Sequence, residues 1–168
     1  LGEAQSHNQK PLNEKTVQFR PLIEDDIPSL VEIEKLSFTT PWSEQAFHQE
    51  LTHNQFARYT TAVWADRVIA YCGVWLIVDE AHLTNIAVHP EFRGEKVGER
   101  LLTHVMAIAK VNGANKMTLE VRPSNKTALN LYKKLGFVHK GTRAKYYPDD
   151  HEDAWIMWVN LDDNDLRD

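Results

Sequence analysis

The run Asn85-Ile-Ala-Val-His-Pro-Glu-Phe-Arg-Gly-Glu-Lys-Val-Gly-Glu-Arg-Leu-Leu102 carries the chemistry that the rest of the chain must serve. It reads as a strand, a turn marked by Pro90, a short Arg/Gly loop, and the opening of an amphipathic helix. A helix start leaves several backbone N–H groups without partners inside the helix, all pointing the same way. With the helix dipole they form a ready site for a phosphate or diphosphate. Gly94 and Gly98 let a bulky anion approach the main chain, and Arg93 adds a charge that does not titrate. A plain glycine-containing turn into a helix is the alternative for this loop taken alone. No Gly-Lys-Ser/Thr follows, so it is not a Walker loop. The three glycines and distant acid of a dinucleotide fingerprint are missing too.

Those residues need a strand before them, a helix after them and a sheet to fix both. Val17–Leu22 predicts a first strand. Glu24–Asp26 start a helix whose apolar spacing takes in Ile27, Leu30, Val31, Ile33, Glu34 and Phe38. Thr40-Pro-Trp-Ser43 breaks it, and Ser43 caps a second short helix reaching Leu51. Arg58–Ala65 and Val68–Val78 predict an antiparallel hairpin around Asp66-Arg67, and His82–Val88 the next strand. Val97–Asn112 places Leu101, Leu102, Val105, Met106 and Ala109 on one face, with Gly113 as a stop. A strand at Lys116–Val121, a helix at Ser124–Leu135, and a strand pair at Phe137–Lys145 and Ala154–Leu161 complete the chain. Antiparallel hairpins that give way to a β-α-β unit predict a single α/β domain of mixed α+β character. Its central sheet is mixed, mostly antiparallel and of about seven strands, with helices on both faces.

At 168 residues the chain suits one domain with its own core. The expected division is a flexible tail or expression remnant at 1–15, the domain at 16–162, and a disordered acidic tail at 163–168. A formal charge of −5 argues against a nucleic-acid surface, and no apolar run approaches a membrane span. The acids of Asp149–Asp153 read as a solvated turn, or as a rim that attracts a cationic peptide or amine. A single cysteine, Cys72, excludes an internal disulfide, fits a reducing cytoplasm, and reads as a buried inert thiol. The eight histidines show no ligand spacing, so no metal is expected, and His89 and His139 read as solvent-facing or packing residues.

The anion loop resembles the acyl-CoA-binding segment of the GCN5-related N-acetyltransferases, Arg/Gln-x-x-Gly-x-Gly/Ala. Arg93, Val97 and Gly98 fit, while Lys96 stands where the pattern has its middle glycine. Leu119-Glu-Val-Arg-Pro-Ser-Asn-Lys-Thr-Ala-Leu-Asn-Leu-Tyr-Lys-Lys-Leu-Gly-Phe137 is similar to that family's strand–turn–helix block. Phe38-Thr-Thr-Pro-Trp-Ser43 and Arg143-Ala-Lys-Tyr-Tyr-Pro148, with Glu152-Asp-Ala154 and Met157, resemble the narrower RimI-type group, which acetylates the N-terminal alanine of a small-subunit ribosomal protein. The match spans roughly 17–161.

The resemblance implies acetyl-CoA as co-substrate and a direct transfer without a covalent enzyme intermediate. Arg93, Gly94, Glu95, Lys96, Val97, Gly98 and Glu99 would hold the diphosphate, with Asn125 beside the coenzyme. Main-chain groups of Ile86, Ala87 and Val88 would meet the acetyl and pantetheine parts. Glu120 would be the general base, through water, and Tyr132 the acid to the departing sulfur. Trp42, Tyr146 and Tyr147 would wall a groove for the N-terminal segment of a protein substrate, and Glu152 would orient its ammonium or hold the groove. The implied enzyme is a monomer or weak dimer. Two rivals stand beside this reading: a family member that acetylates a lysine side chain, a polyamine or a small-molecule amine, and a non-catalytic acyl-CoA-binding module.

Overall fold

The computed structural model describes residues 16–162; the tails expected at 1–15 and 163–168 lie outside the described residues. Strand β1 (Val17–Pro21) leads through a 3-10 turn at Glu24–Asp26 into helix α1 (Ile27–Ser37). The apolar spacing predicts that Phe38 belongs to this helix. Instead Phe38 leaves it with extended backbone and is exposed, since its N–H already closes the last turn onto the Glu34 carbonyl. Helix α2 (Glu44–His53) begins where the sequence predicts, with the Ser43 hydroxyl accepting the Ala46 N–H at 3.1 Å. Strands β2 (Ala57–Trp64) and β3 (Arg67–Ile77) form the hairpin; Ala65 and Asp66, at φ 51° and 63°, supply the two left-handed residues of a tight connection.

Then follow β4 (Glu80–Val88), α3 (Val97–Val111), β5 (Lys116–Val121), α4 (Lys126–Lys134), β6 (Val138–Arg143) and β7 (Ala154–Asn160). All seven strands lie in one sheet, in the order β1-β2-β3-β4-β5-β7-β6. Helix α3 buries Val97, Leu101, Leu102, Val105, Met106 and Ala109 in a core that also takes in Met117, Leu119 and Val121 of β5. Ile27, Leu30 and Ile33 of α1 and Phe47 of α2 join Tyr59 and Tyr71 in a second core. Each large side chain buried this way contributes roughly 1.5–3 kcal/mol. That is enough to hold α3 in place without a side-chain cap at its start.

One junction departs from a closed sheet. β4 and β5 are parallel and pair only at Glu80–Lys116, Ala81–Met117 and His82–Thr118. Immediately beyond, the β3–β4 register shifts: Val74 faces Leu83 while Gly73 faces Asn85, leaving Thr84 as an extra residue in β4. A bulge of this kind bends its strand and raises the local twist. The ends of β4 and β5 therefore separate into a cleft, and α3 and α4 both begin at that open end of the sheet.

Candidate active site

A crevice beyond the carboxyl ends of neighbouring parallel strands is where open α/β sheets bind ligands. Its β4 wall can be read from the ladder. His89 N–H bonds the Ile69 carbonyl at 2.8 Å, so by alternation the backbone groups of Ala87 and Asn85 also face β3. Those of Ile86 and Val88 face the cleft. The Val88 carbonyl is taken by Arg93 Nε at 2.9 Å, which leaves the Ile86 and Val88 N–H groups as candidate donors to a carbonyl lying in the opening.

Lys96 is the residue before α3 and sits at φ 63°, ψ 20°, in the left-handed region. That conformation costs a residue with a Cβ about 1–2 kcal/mol. The Lys96 side chain is exposed and makes no capping hydrogen bond. The N–H groups of Val97, Gly98 and Glu99 precede the first bond of the helix, Arg100 N–H to Lys96 carbonyl at 3.1 Å. Gly94 takes φ 84°. Gly98 is not required by its surroundings, because an added Cβ would meet Val88 Cγ2 at 3.5 Å and Leu131 Cδ2 at 3.9 Å, ordinary contacts.

The other residues expected here have structural partners. Arg93 also reaches Ser37 Oγ at 2.9 Å, tying the loop to the end of α1. Glu99 pairs with Lys134 of α4 at 2.9 Å, Asn125 caps α4 through the Ala128 N–H at 3.1 Å, and Glu95 is exposed.

On the α1/α2 side of the cleft stands Glu120. Its Oε1 lies 2.9 Å from His82 Nε2, and the carboxylate is largely buried. The hydrogen bond from His82 holds the Glu120 carboxyl below the usual carboxylate range, against the opposing effect of burial. Tyr132, on α4, is buried against Phe137 and has no hydrogen-bond partner for its hydroxyl among the described residues. Burial pushes that phenol well above its ordinary value. Such a group is a good hydrogen-bond donor and a poor source of a free proton.

Tyr147 lies within electrostatic reach of both Glu120 and Tyr132, and burial pushes its phenol up to about 12. Tyr146 packs edge-on against it, with ring centroids 5.0 Å apart. Trp42 is half-buried beside Phe47 and lines a groove along α2. Cys72 is fully buried on β3, with its thiol pushed up by burial.

The Acetyltransferase (GNAT) family matches residues 27–137, two-thirds of the chain. The chain belongs to this family. As such it is an N-acetyltransferase that takes its acetyl group from acetyl-CoA. A Bacillus subtilis protein, provisionally named a [ribosomal protein bS18]-alanine N-acetyltransferase, is 42% identical over 83% of this chain and 92% of its own length. The Salmonella typhimurium [ribosomal protein bS18]-alanine N-acetyltransferase is 39% identical over 79% and 89%. The crystal structure of the Escherichia coli ribosomal-protein-S18-alanine N-acetyltransferase superposes with a TM-score of 0.80 at 31% identity, covering 86% of this chain and 94% of that one.

Four features of this acetyltransferase escape a residue-by-residue reading. His82, the partner of Glu120, lies 38 positions away in the sequence and gives no local signal. Glu34 is buried and accepts the Trp42 N–H at 2.8 Å and the Tyr71 hydroxyl, so it fixes the α1–α2 connection; burial pushes its carboxyl up against the Trp42 bond. Glu50 accepts Trp75 Nε1 at 2.6 Å, and Trp75 packs against His82.

The fourth is the pairing within the acidic turn, which is solvated as expected but not loose. Asp149 and Asp150 each accept from Arg122 at 2.8 and 3.0 Å, and Glu152 at 3.2 Å. Glu152 also accepts the Ser124 N–H and hydroxyl, both at 2.9 Å, while the guanidinium lies 3.9 Å over the Tyr147 ring. The loop carrying Tyr146 and Tyr147 is thereby clamped to the β5–α4 connection. His89 is buried and accepts the Glu91 N–H, whereas His139 stacks on Trp155. Among the described residues no helix is long and apolar enough to cross a membrane.

Proposed function

We propose that this acetyltransferase acts on the free N-terminal amine of a protein, with alanine first, and that its substrate is a small-subunit ribosomal protein of the bS18 kind named for its relatives. It works in the cytoplasm, as a monomer or weak dimer. The observation that carries the chemistry is the Glu120–His82 pair beside the open end of the β4–β5 cleft. An α-amino group has a pKa near 7.7–8.0, so roughly a seventh of it is neutral at pH 7. The base therefore has little to supply, and positioning provides most of the rate.

The amine nitrogen bonds to the thioester carbon while the carbon–sulfur bond breaks. Glu120, steadied by His82, receives the proton from nitrogen through water. The Ile86 or Val88 N–H stabilises the oxyanion, and the Tyr132 hydroxyl donates a hydrogen bond to the departing sulfur, which leaves as the thiolate and takes its proton from water as Glu120 returns the amine's proton to solvent. The diphosphate rests on the first-turn amides of α3 with Arg93, Gly94, Glu95, Lys96, Val97, Gly98 and Glu99 around it and Asn125 near the coenzyme. Trp42, Tyr146 and Tyr147 wall the acceptor groove, and Glu152 holds its lip.

Intact-mass analysis tests this with alanine-starting peptides, N-blocked lysine peptides and spermidine, each incubated with the protein and acetyl-CoA. A gain of one acetyl group on the free α-amine alone supports the reading. Preference for the blocked lysine peptide or spermidine overturns it, and coenzyme binding without turnover on any acceptor establishes the non-catalytic module.

A further inference from the structure

The groove along α2, about 580 Å³, is walled by Trp42, Ala46, Gln49, His53 and Phe56, with Glu50 at its side. Glu50 is half-buried, and everything it bonds is neutral: Trp75 Nε1 at 2.6 Å, the Tyr59 hydroxyl at 3.3 Å and Asn54 Nδ2 at 3.3 Å. Among the described residues no cation pairs with it. Arg58, the cation of the same connection, donates instead to the Gln55 and Ala57 carbonyls. A partly desolvated carboxylate beside an aromatic wall, with no cation of its own, is complementary to a lysine or arginine side chain.

Glu120, His82 and Trp75 lie on one face of the adjacent strands β5, β4 and β3, in contact one after another, and Glu50 touches the far end of Trp75. Two strand spacings are about 10 Å. An extended peptide advances about 3.3–3.6 Å per residue, so the third to fifth residues lie about 7–14 Å beyond the first and a side chain there can reach Glu50.

We propose that this groove is an acceptor subsite for a basic side chain at the third to fifth residue of the substrate; the proposal rests on the N-terminal reading above. The test is a set of alanine-starting peptides, uncharged elsewhere, in which one lysine is moved from the second to the seventh place and compared with an asparagine peptide. Lysine at the third, fourth or fifth place should lower KM about fivefold, the scale of a partly exposed ion pair, with kcat little changed. The gain should shrink as salt is raised. In Glu50→Gln the lysine-to-asparagine ratio of kcat/KM should fall to about one, and in Glu50→Lys a glutamate peptide should become the better substrate. Equal KM at every position in the unaltered enzyme, or an undiminished ratio in Glu50→Gln, overturns the subsite while leaving N-terminal acetylation standing. Failure of every peptide to be acetylated, the asparagine peptide included, removes both.

Discussion

Gly98→Ala should move two measurements in opposite directions. Gly98 is the second residue of α3, where glycine costs a helix roughly 0.5–1 kcal/mol relative to alanine. A Cβ there meets only Val88 and Leu131, at 3.5 and 3.9 Å, so nothing in the fold resists it. The free variant should therefore be more stable, with Tm up by about 1–4 °C for a domain of this size. The same methyl would stand beside the first-turn amides proposed to take the diphosphate. Losing one hydrogen bond to a charged group costs about 1.5–3 kcal/mol, which raises the Kd for acetyl-CoA roughly 10- to 150-fold. Differential scanning fluorimetry of the free protein and calorimetric titration with acetyl-CoA read the two effects separately, and a folding defect cannot imitate the pair. A raised Tm with affinity unchanged within about twofold would refute the placement of the diphosphate on these amides.

Lys96→Gly relieves a left-handed lysine but adds unfolded-state freedom of similar size, so Tm should stay within about 2 °C and coenzyme affinity should not fall; a tenfold loss would give Lys96 a role in binding. Tyr132→Phe removes the unpaired hydroxyl and should lower kcat about 10- to 100-fold with little change in the acceptor KM, which steady-state kinetics will show. Glu120→Gln should cost up to about tenfold near pH 7, the scale set by the protonated share of the amine, and progressively less toward pH 9, where the amine is already neutral; a loss of equal size at every pH would count against a base.

Acid should weaken the fold. Burial pushes the Asp26 carboxyl up, but bonds from Arg20 and the Ile23 N–H outweigh it, and Glu120 is likewise held low by His82. Carboxyls depressed in the folded state contribute stability that is full above their unfolded values, about 3.9–4.3, and lost as pH falls through the folded ones. Glu34, pushed up by burial, works the other way: its share is full below the unfolded value and lost as pH rises through the folded one. Thermal melts from pH 3 to 8 should decline below about pH 4, and less steeply in Asp26→Asn.

Local patterns carried the elements and part of the site. The stripe Leu101, Leu102, Val105, Met106 and Ala109 announces α3 and its buried face, and Gly113 marks its end because φ 99° suits only glycine. The loop at 93–98 announces an anion site because the uncapped start of any helix is one. Long-range pairing leaves no such trace. Arg122 stands before Pro123 with no local sign of a partner, and the acids that pair with it lie 27 to 30 positions on, brought to it only when β7 returns beside β5. The same holds for His82, which is one of several polar residues in an alternating strand until the third β4–β5 pair sets it beside Glu120. Phe38 shows the opposite failure: its helical spacing continues past the point where the backbone has turned away.

Thr84 turns a matter of arithmetic into architecture. With one residue fewer in β4, the alternation of its two faces would run unbroken and nothing would stop the strand from zipping onto β5 along its whole length. Such a shortened chain would keep its helices and most of its core, yet present a sealed wall at the proposed entry of the coenzyme arm. The opening between β4 and β5 thus goes with a single surplus link in one strand, a feature written in the count of residues and not in the identity of any side chain.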